Sequence, residues 1–234
     1  MNKGFTFKQF HINIGLCGMP VSTDGVLLGA WANIEQSKNI LDIGCGTGLL
    51  SLMSAQRNEN SHVDAVELMP LAAEVALQNF VQSPWKNRLH LIHQDIIHYH
   101  PAHLYDAIIC NPPYFNNGEQ SQKGERSIAR HTDSLPFDKL LKCCKALMSS
   151  KGRASFILPF IEGNQFIEIA KKHSFHLTKL TKIQTTEKKD VSRLLIELSI
   201  FPYIYQETTL IIHSKDGYSN DFIQLTRHFY LNMA

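Results

Sequence analysis

The sequence has none of the features that mark a membrane-anchored or secreted protein. In its 234 residues no apolar run reaches the roughly 18 residues that a bilayer-spanning helix needs, and the first residues lack the apolar core of a signal peptide. The five cysteines are odd in number and form no C-x-x-C pair. Unpaired thiols are typical of a reducing compartment, so we expect a cytoplasmic protein.

Extremes of composition and charge are absent too. Hydrophobic residues make up 44% of the chain, charged residues 19%, and the net charge is +2. This composition is typical of a globular protein, and the small positive charge is compatible with an RNA partner without indicating one. No repeat or linker divides the chain, so we predict one domain over residues 1–234, with an N-terminal extension (1–38) and a core (39–234).

A metal site is not expected. The five closely spaced histidines between His90 and His103 do not share one helix face, and several would point to opposite faces of a strand. We interpret them as solvated side chains.

A glycine-rich turn stands between a strand and a helix near the start of the core. Asn39–Ile43 predicts a buried strand, Gly44–Gly48 is Gly-Cys-Gly-Thr-Gly, and an apolar helix begins at Leu49. Leu49 occupies the position where the dinucleotide fingerprint G-x-G-x-x-G needs its third glycine. The turn therefore predicts a close approach of a ligand to the backbone, but not pyrophosphate binding. Asp42, near the end of the strand, can face a ligand's ammonium group.

Two more acids end the next two predicted strands. Glu67 ends the second strand and Asp95 ends the third. Because the carboxyl ends of parallel strands meet at one edge of a sheet, these acids and Asp42 should line one pocket. Glu67 is suited to accept both hydroxyls of a ribose. The alternative is that Glu67 caps the helix predicted to begin near Pro70.

A rigid tetrapeptide, Asn111-Pro112-Pro113-Tyr114, ends the fourth predicted strand, Tyr105–Cys110. Two prolines terminate a strand at once because neither has an N–H for the sheet, and they hold the preceding asparagine in extended geometry. The Asn111 amide oxygen and the Pro112 carbonyl can each accept a hydrogen bond from the NH2 group of a planar substrate, while Tyr114 stacks on its ring. The alternative is a proline-terminated strand beside a packed tyrosine.

The rest of the chain continues the alternation of strands and helices. We predict strands at 153–159, 175–183, 193–200 and 208–213, and helices at 70–82, 136–149, 162–172 and 219–231. Ahead of the core, Thr23 or Asp24 is the expected N-cap of an apolar helix.

Basic residues cluster in three polar or aromatic segments. Lys8 lies among three phenylalanines that either bind nucleic acid or dock the extension on the core. The long polar segment 115–133 is typical of a lid or binding loop, and 184–190 predicts a hairpin loop. The predicted RNA-binding residues are Lys8, Lys123, Arg126, Arg130, Lys188 and Lys189.

Taken in order, the glycine turn, Glu67, Asp95 and Asn111–Tyr114 resemble the class I S-adenosylmethionine-dependent methyltransferases, in particular those that methylate exocyclic or amide nitrogens. The resemblance implies an α/β, Rossmann-like fold with a seven-stranded, mostly parallel sheet, helices on both faces and one antiparallel strand in the last hairpin. It implies S-adenosyl-L-methionine as the cofactor, held by Asp24, Asp42, Gly44, Cys45, Gly46, Gly48, Glu67, Asp95 and Asn111. The catalytic residues that it implies are Asn111, Pro112, Pro113 and Tyr114.

Other segments narrow this resemblance. Phe7–Phe10, Thr23–Trp31, Gln82–Trp85 and Phe229–Leu231 are similar to segments of the bacterial enzymes that N6-methylate the adenosine immediately 3′ of the anticodon in a valine tRNA. The similarity runs nearly end to end. It implies a tRNA partner, bound through its anticodon loop, and we expect the protein to be a monomer.

Three other functions stay open at this point. A guanine-N2 RNA methyltransferase and a protein glutamine-amide methyltransferase would use the same tetrapeptide, although the second class usually carries an N-terminal helical domain for which residues 1–38 are too few. The third is a non-catalytic RNA-binding module. Methyl acceptance by adenosine against guanosine separates the RNA enzymes, and cofactor binding separates an enzyme from a binding module.

Overall fold

The computed structural model describes residues 4–15, 20–113 and 135–233. The strands of these ranges are β1 (Gly4–Thr6), β2 (His11–Asn13), β3 (Asn39–Ile43), β4 (His62–Glu67), β5 (Leu89–His93), β6 (Tyr105–Cys110), β7 (Met148–Pro159), β8 (His176–Gln184), β9 (Val191–Ser199), β10 (Gln206–Ile211), β11 (His213–Ser214) and β12 (Gly217–Tyr218). The α-helices are α1 (Thr23–Trp31), α2 (Leu49–Arg57), α3 (Pro70–Gln82), α4 (Phe137–Leu147), α5 (Phe160–Lys172) and α6 (Asn220–Thr226).

Eight of these strands form one sheet in the order β10-β8-β9-β7-β6-β3-β4-β5. All of them run parallel except β9, which is antiparallel to both of its neighbours, β7 and β8. The predicted mostly parallel α/β sheet with one antiparallel strand is thus confirmed. The predicted count of seven strands is wrong by one, because β10 adds itself in parallel to the outer edge of β8. A hydrogen bond of 2.7 Å between the Thr181 and Thr208 hydroxyls joins these two strands.

Helices cover both faces of the sheet. Successive strand residues point to opposite sides, so each strand contributes side chains to a core on each face. In β6, Ala107 and Ile109 join a core that contains residues of α1, α2, α3 and α6. Their neighbours Ile108 and Cys110 join a second core with residues of α4 and α5. This doubly covered sheet places the carboxyl ends of the parallel strands along one edge, where Asp42, Gly44–Gly48, Glu67 and Asn111 stand.

The N-terminal segment docks on the core, as one of the two interpretations of its phenylalanines predicted. The rings of Phe7 and Phe10 stack at 4.7 Å and both are buried. Phe7 also forms a β-bridge with Tyr230 near the other end of the chain. The Lys8 ammonium donates to the carbonyls of Arg227 and Met233 at 2.8 and 2.5 Å. These bonds occupy two of its three donors, so the RNA contact predicted for Lys8 stays a prediction.

Helix boundaries differ from the sequence-based expectation at the N-cap of α1 and at the end of α6, and elsewhere by at most two residues. Ser22, not Thr23 or Asp24, is the N-cap of α1, since its side chain accepts from the Gly25 amide at 3.0 Å. Helix α6 ends at Thr226 instead of residue 231, because the following residues turn back. None of the helices in the described ranges is long and apolar enough to cross a membrane.

Candidate active site

The glycine turn after β3 is shaped so that part of its backbone faces open space. Gly44, Gly46 and Gly48 have φ angles of 68°, 56° and 85°, in the left-handed region that favours glycine. The Gly44 amide donates to the Val66 carbonyl at 2.8 Å, which ties the turn to β4. A Cβ on Gly44 would meet no atom of the described residues within 4 Å, whereas one on Gly48 would lie 2.4 Å from the Phe80 ring. A ligand can therefore approach the backbone at Gly44, while Gly48 packs against α3.

Glu67 holds this turn from the neighbouring strand. Its buried carboxylate accepts from the Gly46 amide through Oε2 at 2.8 Å and from the Met69 amide through Oε1 at 2.8 Å. Met69 is the N-cap residue of α3, so part of the capping interpretation holds. Each carboxylate oxygen keeps a second lone pair, which leaves room for a ribose hydroxyl as well.

Asp42 is a buried acid with one oxygen that lacks a hydrogen bond. Its Oδ2 accepts from the Ser51 hydroxyl at 2.6 Å, and its Oδ1 has no partner among the described residues. Burial raises the pKa of Asp42 to about 7, with the Glu67 charge adding to the rise and the Ser51 hydrogen bond opposing it. An ammonium group supplies what this carboxylate lacks, both a positive charge and a donor.

Asp95 lies two residues after β5, in the turn, and not at the end of the strand itself. Its Oδ1 accepts from the Ile97 amide at 2.9 Å and caps the 3-10 helix Ile96–His98. The Gln94 amide donates to the Glu67 carbonyl at 3.0 Å. Backbone bonds thus join the ends of β3, β4 and β5, and they bring the three predicted acids to one edge of the sheet.

Asn111 stands beside the glycine turn on the next strand. Ile109 of β6 pairs with Asp42 of β3, so Asn111 follows at the level of the turn, across one strand spacing of about 5 Å. Asn111 is half-buried, Pro112 is buried and Pro113 is exposed. The Asn111 side chain makes no hydrogen bond to any described residue. Asn111 therefore places a rigid amide next to the glycine turn, and no described residue uses the hydrogen-bonding groups of its side chain.

The predicted RNA-binding residues are only partly described. Lys123, Arg126 and Arg130 lie outside the described residues, as does Tyr114, which was predicted to be catalytic. Lys188 and Lys189 are exposed in the turn between β8 and β9, on the same edge of the sheet as Asn111.

Asp24 and Cys45 also belong to the predicted cofactor-binding residues. The Asp24 carboxylate accepts from Arg193 Nε at 2.8 Å, at the N-terminus of α1. Burial, with the charges of Asp42 and Glu67, raises the pKa of the Cys45 thiol well above its ordinary value. Cys45 is therefore a neutral, apolar part of the turn and not a nucleophile.

Sequence reasoning missed two residues of this edge. Ser51, the partner of Asp42, was detectable as a polar residue within the apolar run that opens α2. Arg193, the partner of Asp24, carried no local signal because the two residues are 169 positions apart. Among the described residues, no group of three His, Cys, Asp or Glu side chains is placed to hold a metal ion.

A mostly parallel sheet with one reversed strand, a glycine turn after β3 and acids at the ends of the next strands define a class I methyltransferase. The family model named methyltransferase small domain matches residues 24–135. The structure of a predicted O-methyltransferase from Agrobacterium tumefaciens superposes with a TM-score of 0.71 at 19% identity, covering 88% of this chain and 96% of that one. At that identity the likeness concerns the fold alone.

Full-length relatives point to a more specific family within this class. The tRNA1(Val) (adenine(37)-N6)-methyltransferase of Aliivibrio fischeri strain MJ11 is 75% identical over 234 residues, which is all of both chains. The protein of the same name from Vibrio campbellii is 54% identical over 231 residues, covering 99% of this chain and 97% of its own. The chain belongs to the tRNA1(Val) (adenine(37)-N6)-methyltransferase family. It is thus an enzyme of the methyltransferase class, and S-adenosyl-L-methionine is its cofactor, which the open Gly44 backbone and the unsatisfied Asp42 oxygen fit.

Proposed function

We propose that this protein transfers a methyl group to N6 of adenosine 37 in tRNA1(Val). Full-length relatives of that name support the substrate. The single structural observation that carries the proposal is the position of Asn111, half-buried next to the glycine turn and without a hydrogen bond to any described residue.

The cofactor half of the site is proposed from the ends of β3, β4 and β5. Asp42 faces the ammonium of the methionine part, Glu67 accepts from the ribose hydroxyls, and Asp95 stands at the adenine end. The Gly44 backbone, at which a Cβ would meet nothing within 4 Å in the described ranges, allows the close approach. When bound, the cofactor supplies a methyl group on a positively charged sulfur, a good electrophile.

The substrate half is proposed from Asn111 and the two prolines. The exocyclic amine of adenine is a weak nucleophile because its lone pair is delocalised into the ring. The Asn111 amide oxygen and the Pro112 carbonyl each accept one N–H of that amine, which favours a pyramidal nitrogen whose lone pair points to the methyl group. The prolines fix both acceptors, so positioning supplies most of the acceleration.

No general base is required in this scheme. The proton leaves the nitrogen after the methyl group has been transferred, when the amine has become acidic. The neutral Cys45 thiol, whose pKa is raised by burial, takes no part in proton transfer. Tyr114 is proposed to stack on the adenine, as the sequence predicted.

The RNA is proposed to approach the carboxyl edge of the sheet through the anticodon loop. Bases of such a loop are partly unpaired, so turning one of them into a pocket costs less than in a duplex. Lys188 and Lys189, exposed on that edge, are proposed to contact phosphates, together with Lys123, Arg126 and Arg130. The cytoplasmic location and the monomeric state expected from the sequence complete the proposal.

Labelled S-adenosyl-L-methionine with total unmodified tRNA, followed by nucleoside analysis, tests this function. The expected product is N6-methyladenosine, formed only with a tRNA that carries adenosine at position 37. Label in guanosine would identify a guanine-N2 enzyme, and label in protein would identify an amide methyltransferase. Cofactor binding without transfer to RNA or protein would leave the binding module as the better description.

A further inference from the structure

Another opening lies on the same edge of the sheet, two strands away from Asn111. It is a cavity of about 350 Å³ between the N-terminus of α1, the β8–β9 turn and the β11–β12 hairpin. Arg193, which lines it, pairs with Pro159 at the end of β7, and β7 lies beside β6. Two strand spacings amount to about 10 Å. One or two extended nucleotides of a single strand cover that distance.

Aromatic rings form one wall of this cavity. The rings of His213 and Tyr218 have centroids 4.9 Å apart with planes inclined by 22°. The rings of Tyr218 and Phe222 are also 4.9 Å apart, inclined by 23°. Phe222 is 1% exposed, whereas Tyr218 is 49% exposed. A buried ring therefore fixes the orientation of an exposed one, which is the arrangement that stacking of a flat ligand requires.

The backbone that carries these rings is tied to the end of the main sheet. The amides of Ile212 and His213 donate to the carbonyls of Gln184 and Thr185, each at 2.9 Å. The Ser219 amide donates back to the Ile212 carbonyl at 2.9 Å, which closes the hairpin. The ring wall thus holds a constant position relative to the strand ends that carry the active site.

The polar lining is small and neutral in character. Thr23, Thr185 and Ser192 line the cavity with hydroxyl groups. Those of Thr23 and Thr185 can donate or accept, and that of Ser192, which donates to the Ile183 carbonyl at 3.3 Å, can accept. Among the described lining residues, the charged side chains of Asp24 and Arg193 are engaged in an ion pair at 2.8 Å. Such a lining suits the mixed donors and acceptors of a base edge better than a charged peptide group.

We propose that this cavity receives an unpaired nucleobase of the tRNA, next to or one removed from the methylated adenosine, stacked against the His213–Tyr218 pair. The inference rests on the proposed function, because the adenosine at Asn111 sets where the neighbouring nucleotides lie. Bases of RNA loops are recognised in this way, splayed out and stacked on aromatic side chains. The cavity then fixes the register of the anticodon loop on the enzyme.

The experiment compares two tyrosines of similar exposure on opposite edges of the sheet. Tyr218 is 49% exposed in the cavity, and Tyr205 is 46% exposed at the start of β10, on the amino edge. Tyr218→Ala should raise KM for an anticodon stem-loop roughly 5- to 100-fold, the range expected when the aromatic side chain that stacks on one base is removed. The kcat at saturating RNA and the cofactor Kd should stay unchanged. Tyr205→Ala and Tyr218→Phe should both behave like the unaltered protein.

A second readout does not depend on methyl transfer. Stem-loops that carry 2-aminopurine at each position flanking adenosine 37 are titrated with the protein, and stacking quenches the fluorescence of the base that enters the cavity. One position should be quenched by the unaltered protein and by Tyr205→Ala, but not by Tyr218→Ala or His213→Ala. An abasic nucleotide at that position should remove the KM difference between Tyr218→Ala and the unaltered protein.

Failure of this inference is distinguishable from failure of the proposed function. Equal KM values and equal quenching for Tyr218→Ala and Tyr205→Ala would overturn the cavity proposal while adenosine 37 is still methylated. Absence of methylation by the unaltered protein would overturn the function instead, and the fluorescence titration would still decide whether the cavity binds a base. If Tyr218→Ala lowers Tm or weakens cofactor binding, His213→Ala provides the decisive comparison.

Discussion

The two halves of the active edge are built differently. At β3, β4 and β5 the acids are bonded within the chain: Glu67 accepts two backbone amides, and Asp42 accepts the Ser51 hydroxyl. At β6 the half-buried Asn111 makes no hydrogen bond to any described residue. The proposed cofactor half is thus tied together by hydrogen bonds within the chain, and such preorganisation lowers the cost of ligand binding. In the proposed substrate half, no described residue uses the Asn111 side chain, which is consistent with a group that acts mainly in the transition state.

Removal of the Asn111 amide should produce the largest effect. Asn111→Ala should lower kcat about 100-fold or more, roughly 3 kcal/mol, because the transition state then lacks an acceptor that positions the amine. Single-turnover methylation at saturating tRNA measures this. Asn111→Asp keeps an acceptor and should retain more activity than alanine. An Asn111→Ala enzyme with full kcat would show that the substrate half lies elsewhere.

Removal of the Glu67 carboxylate should act on the other half. Glu67→Ala should weaken cofactor binding by about 1–3 kcal/mol, since the ribose hydroxyls lose their acceptor and the Gly46 amide loses its partner. Calorimetric titration with S-adenosyl-L-methionine gives the Kd. The exposed acid Glu74 on α3 provides the matched control, Glu74→Ala, with no expected change. Unchanged affinity of Glu67→Ala would remove Glu67 from the cofactor site.

The raised pKa of Asp42 makes the stability of the cofactor-free protein dependent on pH. The folded pKa, about 7, lies above the ordinary value of 3.8, so the folded state holds a proton that the unfolded chain has released. The free energy of unfolding therefore decreases as pH rises from about 4 to 7. Asp42→Asn should remove this part of the decrease. The free energy of unfolding of the variant minus that of the unaltered protein should therefore rise by about 2 kcal/mol between pH 5 and 7.5.

Urea unfolding at both pH values measures that difference, and saturating cofactor should reduce it. An ammonium beside Asp42 stabilises the ionised carboxylate, so the proton leaves on binding. A difference between the two proteins that does not vary with pH would mean that Asp42 is already ionised in the folded state at pH 5.

Charge removal on the β8–β9 turn should give the smallest effect. The double variant Lys188→Ala, Lys189→Ala should raise the tRNA KM several-fold. The slope of log KM against log salt concentration should become shallower by about 0.7 to 0.9 for each phosphate that is no longer neutralised. The cofactor Kd should not move. Lys171→Ala with Lys172→Ala, two exposed lysines at the end of α5 on the amino edge, is the control with equal charge change. Identical salt slopes for both double variants would place the RNA elsewhere.

The parts of the site that could be predicted from sequence are those that depend on local pattern. Asp42, Gly44–Gly48 and Glu67 stand at strand ends that apolar runs and glycines mark, and the parallel-sheet rule then brings them together. The pairing of β10 with β8 and the ion pair of Asp24 with Arg193 depend on contacts between distant parts of the chain. No periodicity of either segment carries that information, so the place of the strand predicted at 208–213 beside β8, and the cavity next to it, emerged only from the fold.

The division of the edge into two halves is tested most directly by cofactor titration of two variants in parallel. Calorimetry of Asn111→Ala and Glu67→Ala with S-adenosyl-L-methionine, in the absence of RNA, isolates binding from chemistry. The resemblance also placed Asn111 among the cofactor-binding residues. The two-half account predicts instead a Kd for Asn111→Ala close to that of the unaltered protein, with a weakened Kd for Glu67→Ala alone. Equal weakening in both variants would contradict it, because Asn111 would then belong to the cofactor half.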